Sequence, residues 1–88
     1  MSANANYSPE DRVRGVVQRL LTKRAIDRRV GRHDDLSRTG LTSLDMINLV
    51  LAIETEFDVT VPEHSIDPVN FGTIDAISRL VTALLAGA

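Results

Sequence analysis

Three stretches of the chain place apolar residues three and four positions apart, which is the spacing of an amphipathic helix. The first stretch covers about residues 9–25, and its apolar stripe consists of Val13, Val16, Val17, Leu20 and Leu21. Ser8, Pro9 and two acidic residues precede this stripe, an order that is typical of a helix start. The second stretch runs to about Phe57, and its stripe consists of Met46, Leu49, Val50, Ile53 and Phe57.

The third stretch closes the chain, and Thr73 can cap it. Its apolar stripe consists of Ile74, Ile77, Leu80, Val81, Leu84 and Leu85. Between the second and third stretches, one or two helical turns are predicted around Ser65–Phe71, and the segment Asp58–Pro62 is too short to build a sheet. We therefore predict an all-α fold, a small four-helix bundle with three main helices and a short third helix.

A long loop over residues 27–41 separates the first two main helices, because glycine and hydroxyl residues interrupt any regular pattern there. Leu36 and Leu41 are the apolar anchors of this loop, and we expect them to pack onto the bundle. Residues 1–7 are polar, and we predict them to be flexible. The folded domain is then expected to cover residues 8–86.

The start of the second helix is the most informative part of the chain. Thr42 is its predicted cap and Asp45 its third helical residue, which together form an acidic capping box. Ser43 then lies in the first turn, where unpaired N–H groups and the helix dipole favour a phosphate ester. Both histidines, His33 and His64, lie in loops, and the chain has no Gly-x-Ser-x-Gly elbow to activate a serine. This position favours a phosphate-linked group on Ser43 over catalysis by it.

Three further apolar residues, Leu44, Ile47 and Leu51, widen the stripe of the second helix beyond what one core face needs. We expect part of this surface to be exposed. Exposed apolar surface beside a modifiable side chain indicates recognition by another protein.

The composition fits one small domain of 88 residues whose core is mainly aliphatic. The absence of cysteine excludes disulfides, thiolate nucleophiles and cysteine-ligated metals, and a fold of this kind tolerates a reducing compartment. No stretch resembles a signal peptide or a membrane span. We therefore predict a cytoplasmic monomer that has no metal and no membrane partner; His33, Asp34 and Asp35 are expected to form a polar loop.

The net charge of −2 hides an asymmetry, because residues 1–38 carry a net charge of +4 and residues 39–88 carry −6. The acidic half contains Ser43 and is expected to steer cationic partner surfaces toward it. The arginines of the first half alternate with the apolar stripe and predict a solvated helix face. Nucleic acid is not the expected partner, because stacking aromatics are missing and the pI is about 5.5.

The chain resembles acyl and peptidyl carrier proteins over about residues 9–85. The resemblance is carried by Asp35-Leu36, Gly40-Leu41-Thr42-Ser43-Leu44, Leu49, Glu54, Phe57 and Val61-Pro62. In that family, a serine before a leucine carries covalent 4′-phosphopantetheine, which comes from coenzyme A. The resemblance implies that Ser43 bears this group, and that the protein is a carrier of thioester-linked cargo and not an enzyme.

The resemblance also implies which residues meet partner enzymes. The expected partner-binding residues are Leu44, Asp45, Asn48, Leu51 and Glu54. Glu54 and Glu56 match the acidic rim of the helix that partners recognise in that family. The implied partners are a phosphopantetheinyl transferase, a ligase that activates an acyl group or an amino acid, and downstream transferases.

The chain departs from the commonest pattern of that family at three positions. Thr42 stands where an aspartate usually precedes the serine, and Asn48 and Thr55 stand at positions that are often acidic in fatty-acid carriers. These departures favour a specialised stand-alone carrier, such as an acceptor of amino acids. Two kinds of cargo remain possible from the sequence: a long acyl chain that is sheltered inside the bundle, and a small aminoacyl group that stays outside it. The alternative from another class is an unmodified helical interaction module that keeps the carrier fold.

Overall fold

The computed structural model describes residues 7–87, and this part of the chain is all-α, as predicted. Its helices are α1 (Pro9–Lys23), α2 (Ser43–Phe57) and α3 (Ile74–Leu85), and 3-10 turns lie at Leu36–Arg38 and Glu63–Ser65. The predicted flexibility of residues 1–7 concerns positions that, apart from Tyr7, lie outside the described residues.

Hydroxyl side chains begin α1 and α3 where the sequence predicts them to. The Ser8 hydroxyl accepts a hydrogen bond from the Asp11 N–H at 3.1 Å, and the Thr73 hydroxyl accepts one from the Ala76 N–H at 3.0 Å. Each bond satisfies an N–H group that has no partner within its helix. Helix α1 ends at Lys23, slightly before the predicted end near residue 25, and Ala25 beyond it has a left-handed backbone with φ of 57°.

The three apolar stripes meet in one core, in which α1 packs against both α2 and α3. The fully buried side chains of this core are aliphatic and include Leu21, Leu36, Leu49, Ile53, Ile74, Ile77, Val13, Val17 and Val81. Met46, Leu20, Leu80 and Leu84 are partly buried against it. Leu85 was predicted to be part of the α3 stripe, but it is 52% exposed because it lies in the last turn, beyond the end of the core.

The predicted short third helix is not an α-helix. Within the described residues, its place is taken by the 3-10 turn Glu63–Ser65 and by one hydrogen-bonded turn, in which the Phe71 N–H donates to the Asp67 carbonyl at 3.1 Å. The carboxylate of Asp67 accepts from the Asn70 N–H at 2.7 Å and so stabilises a local turn. The bundle therefore consists of three α-helices plus 3-10 turns, and the predicted count of four helices is corrected.

The long first loop is packed against the bundle. Leu36 is fully buried and Leu41 is 7% exposed, so both predicted anchors are confirmed. The Leu36 N–H donates to the Gly72 carbonyl at 2.8 Å, and the Arg14 guanidinium donates to the Val30 carbonyl at 2.7 Å. These bonds tie the loop to α1 and to the segment before α3.

Gly72 is needed where the loop meets the segment before α3. A Cβ atom at this position would clash with the backbone oxygen of Pro68, so the backbone would have to shift. We expect Gly72→Ala to lower the free energy of unfolding by about 1–3 kcal/mol, measured by urea denaturation. The control is Gly15→Ala in α1, whose Cβ would meet only the Arg19 guanidinium at 3.6 Å. Gly15→Ala should raise the free energy of unfolding by about 0.5–1 kcal/mol. Equal stabilities of the two variants would contradict the steric explanation.

Candidate functional site

The site is built on the N-terminus of α2. The Thr42 hydroxyl accepts a hydrogen bond from the Asp45 N–H at 3.2 Å, and the Asp45 carboxylate accepts from the Thr42 N–H at 2.8 Å. This reciprocal pair is the predicted acidic capping box. It satisfies two backbone donors and defines where the helix begins.

Ser43 is the first residue of α2, and its side chain is exposed. The cap does not use its hydroxyl, and no hydrogen bond joins that hydroxyl to any other residue among positions 7–87. The next residue, Leu44, is 66% exposed, so the approach to Ser43 is open on that side. The hydroxyl is therefore accessible to a modifying enzyme and is not needed to hold the helix start.

Asp45 has a structural position, whereas the sequence predicted it to bind partners. It is 5% exposed, and its second oxygen accepts from Nε of Arg24 at 2.9 Å. The Thr42 N–H bond and the Arg24 guanidinium hold the pKa of this carboxyl below its usual value. The contact fastens the start of α2 to the segment after α1. Sequence reasoning missed Arg24, because no local pattern links residues that are 21 positions apart.

The lowered pKa of Asp45 makes stability depend on pH. A carboxyl whose pKa falls on folding contributes stability above its unfolded pKa of about 3.9, and this contribution is lost as the pH falls toward the folded pKa. We expect Asp45→Asn to be less stable than the wild type at pH 7 and to lose less stability between pH 6 and pH 3. Urea midpoints across that range test this. If the urea midpoints of the two proteins fell in parallel with pH, Asp45 would not be the source of the pH dependence. The control is Asp75→Asn, which should keep the part of the pH dependence that Asp45 contributes.

A groove of about 520 Å³ opens beside Ser43. It runs between the start of α2 and the segment before α3, and its apolar lining consists of Leu41, Met46, Ile47, Val50, Ile66 and Phe71. Ser43 lies at its rim together with Thr42 and Ser37. A flexible group attached to Ser43 could therefore lie against apolar surface as soon as it leaves the serine.

The outer face of α2 is apolar next to the serine. Leu44, Ile47 and Leu51 are 66%, 55% and 55% exposed, as the widened stripe predicts. Asn48 is exposed on the same face. Glu54 is only half-exposed, and one of its carboxylate oxygens accepts from the Val61 N–H at 2.8 Å. Of the predicted partner-binding residues, Leu44, Asn48 and Leu51 thus lie exposed on one face of α2. The carboxylates of Asp45 and Glu54 are instead hydrogen-bonded within the fold.

Glu56, the other predicted acidic rim residue, is held by α1. Nε of Arg12 donates to its carboxylate at 3.0 Å, and Arg19 contacts the other oxygen at 3.4 Å. The Arg12 guanidinium also lies 4.2 Å from the centre of the Phe57 ring. The predicted solvated face holds for Arg19, whose side chain is 69% exposed, whereas Arg12 is largely covered; both offset the negative charge of Glu56.

Two classes of site are absent from residues 7–87. No cluster of three or more histidine or carboxylate side chains could hold a metal ion there. No helix within those residues is both long and apolar enough to cross a bilayer.

Comparison with known families identifies the family of the chain. The family described as a phosphopantetheine attachment site matches residues 11–81, which include Ser43, the groove and most of the core. The chain belongs to the phosphopantetheine-attachment family. This membership confirms the predicted resemblance and the predicted covalent 4′-phosphopantetheine cofactor. The observed residues fit such a group, because they provide an accessible hydroxyl at a helix N-terminus beside an apolar groove.

Two relatives of the chain are named aminoacyl carrier proteins. Aminoacyl carrier protein 1 of Bradyrhizobium diazoefficiens is 36% identical over 80 residues, which cover 91% of this chain and 89% of the relative. Aminoacyl carrier protein 2 of the same organism is 35% identical over 78 residues, covering 89% and 88%. Their names confirm the prediction of a carrier and not an enzyme.

A solved structure has the same fold. The matched chain belongs to the crystal structure of Bradyrhizobium japonicum glycine:[carrier protein] ligase complexed with glycylated carrier protein. The match has a TM-score of 0.76 and 35% identity, and it covers 82% of this chain and 96% of the matched chain. The described helices and loop therefore have the arrangement of a carrier protein.

Proposed function

We propose that the Ser43 hydroxyl oxygen carries the phosphopantetheine and that the protein is a stand-alone carrier of an activated amino acid. The observation that supports this most is that Ser43 is exposed and unused by the cap in the first turn of α2. Its neighbours perform the structural tasks that a serine often performs at a helix start. The hydroxyl is consequently available for a permanent bond to phosphorus.

The aminoacyl cargo is supported by the relatives and by the sequence. Two relatives are named aminoacyl carrier proteins, and the carrier in the matched complex is glycylated. Thr42, Asn48 and Thr55, which depart from the commonest pattern of the family, also favour an amino acid as the cargo. A small polar aminoacyl group gains little from burial. We therefore place the cargo outside the core and the arm along the groove beside Ser43.

The residues around Ser43 position and stabilise the attachment. When bound, the prosthetic group supplies a terminal thiol that holds cargo as a thioester, which this cysteine-free chain cannot supply itself. Thr42 and Asp45 hold the helix start in place, and the first-turn N–H groups and the helix dipole stabilise the negative charge of a phosphate on Ser43. The leucines of the outer face, Leu44 and Leu51, seat against the enzymes that modify and load the arm.

These partners are a phosphopantetheinyl transferase, an amino acid-activating ligase and the transferases that take the cargo onward. Leu44, Asn48 and Leu51 form the contact surface that we propose, and Glu54 lies at its end. Asp45 acts indirectly by positioning the cap. We further propose that residues 8–86 form the carrier domain and work as a monomer in the cytoplasm, since a cysteine-free core needs no oxidising compartment.

Intact mass spectrometry tests the proposal. The purified protein is incubated with coenzyme A and a broad-specificity phosphopantetheinyl transferase, and its mass should rise by one phosphopantetheine group. An unmodified interaction module with the same fold predicts no mass change. The mass of the protein isolated from its native cells would also report the cargo.

A further inference from the structure

The exposed face of α2 carries no charged side chain. Its exposed residues are Ser43, Leu44, Ile47, Asn48, Leu51, Ala52 and Thr55. The three carboxylates of the helix are all engaged: Asp45 by Thr42 and Arg24, Glu54 by the Val61 N–H, and Glu56 by two arginines. The negative charge expected to steer partners toward this helix is thus largely offset within the fold, and any charge that steers them must come from a neighbouring segment.

That neighbouring segment is basic. Residues 23–38, which we name the arginine loop, contain six lysine and arginine residues and three aspartates, and so have a net charge of +3. Two of the aspartates are engaged locally, because Asp34 accepts from the Gly31 N–H at 2.8 Å and Asp35 accepts from the Ser37 hydroxyl at 2.7 Å. Asp27 is exposed beside Arg28 and is the third carboxylate of the loop. Arg24 and Arg32 pair with carboxylates outside the loop, so four cations remain against its three aspartates, and the excess positive charge is +1.

Contacts place this loop beside the serine. Arg24 binds Asp45 in the first turn of α2 at 2.9 Å, and Nη1 of Arg28 donates to the Arg38 carbonyl at 3.1 Å, a few residues before the helix begins. Arg28 and Arg29 are exposed. No ion pair to a carboxylate of residues 7–87 engages either of them. The Arg28 guanidinium, held at the Arg38 carbonyl, thus lies near the start of α2 without a carboxylate partner, and Arg29 follows it in the same exposed segment.

We propose that the arginine loop is a second docking element, and that the amino acid-activating ligase faces Arg28 and Arg29 with carboxylates while an apolar surface covers Leu44, Ile47 and Leu51. This inference rests on the proposed carrier function. Charges at the rim of an interface mainly change the rate of association and its salt dependence, whereas the apolar centre sustains the complex. The loop thereby selects ligases with an acidic rim and disfavours enzymes whose docking site is basic.

The test uses the phosphopantetheinylated protein, the B. japonicum glycine:[carrier protein] ligase, glycine and ATP. The kcat/KM for glycylation is measured at low and high salt for the wild type, Arg28→Glu and Arg29→Glu. Arg79→Glu is the matched control, because it makes the same charge change on an exposed arginine of α3, where Arg79 contacts Asp75 at 3.0 Å. Circular dichroism of each variant verifies folding.

At low salt we expect Arg28→Glu and Arg29→Glu each to lower kcat/KM roughly 3–10-fold through slower association, and Arg79→Glu to change it less than about twofold. The differences should shrink at high salt, where exposed charges are screened. Equal effects of all three variants, or none, would overturn the proposal. A defect confined to the phosphopantetheinyl transfer step would also overturn it, because the arginines would then contact phosphates of coenzyme A.

Failure of this inference is distinguishable from failure of the proposed function. If the ligase does not glycylate the modified wild type, the ligase partner is overturned, while the mass gain still supports a carrier. If the arginine variants lose affinity for single-stranded RNA and keep full glycylation, the loop binds nucleic acid and the docking proposal is wrong.

Discussion

Ser43→Ala is expected to abolish the mass gain from coenzyme A completely, because the alanine has no oxygen to bond to phosphorus. The helicity of the variant should be nearly unchanged, since Thr42 and Asp45 form the cap without the serine. Intact mass spectrometry and far-UV circular dichroism measure the two properties on the same sample. The experiment thus separates the role of the Ser43 hydroxyl in modification from its role in folding.

The matched control for this loss is Ser37→Ala. Ser37 is also exposed and also lies on the groove beside α2, but it belongs to a 3-10 turn and donates to Asp35 at 2.7 Å. This variant should be modified like the wild type. Residual modification of Ser43→Ala would contradict the attachment site, and a large loss of helix would show that Ser43 takes part in the cap.

Leu49→Ala is expected to lower the free energy of unfolding by about 2–5 kcal/mol. Leu49 is fully buried in α2 at the centre of the core, so truncation removes apolar contacts and leaves a cavity. A loss of this size is a large part of the stability of a small domain. Urea denaturation followed by circular dichroism measures it.

Leu51→Ala is the matched control, two residues further along the same helix. Leu51 is 55% exposed, so its truncation should change stability by less than about 0.5 kcal/mol. It should instead raise the KM for loading by the ligase several-fold, through lost apolar contact with the partner. Equal destabilisation by the two variants would contradict the division of α2 into a buried face and a docking face.

The local features of this fold were predictable from the sequence, because short-range chemistry determines them. Ser8, Thr42 and Thr73 precede apolar stripes at helical spacing, and each caps its helix in the structure. Leu36 could be recognised as an anchor because it is an isolated apolar residue in a polar loop. The position of Ser43 followed from the same cap, so the candidate site was predictable together with the fold.

The long-range features were not predictable in this way. The pairs Arg12–Glu56, Arg24–Asp45 and Arg32–Asp75 join residues that are far apart along the chain, and no local periodicity encodes them. The charge asymmetry between the two halves therefore predicted that the acidic half steers partners toward Ser43, whereas folding pairs two of the three acids of α2, Asp45 and Glu56, with arginines of the other half. The helical turns predicted around Ser65–Phe71 are present as a 3-10 turn and one hydrogen-bonded turn and not as a fourth α-helix; the Asp67 carboxylate, which accepts from the Asn70 N–H, stabilises that turn.

The central position of α1 has a consequence for how this scaffold could accommodate different loads. Since α1 makes the main packing contacts with both other helices, the start of α2 and the segment before α3 can leave an apolar groove of about 520 Å³ between them, and this seam is where the bundle is already open. A hydrocarbon tail could enter along that seam while the remainder of the molecule stays folded. The side-chain sizes at Ile47, Ile66 and Phe71 would then decide whether a carrier with this fold buries the attached acyl group or leaves it exposed to water.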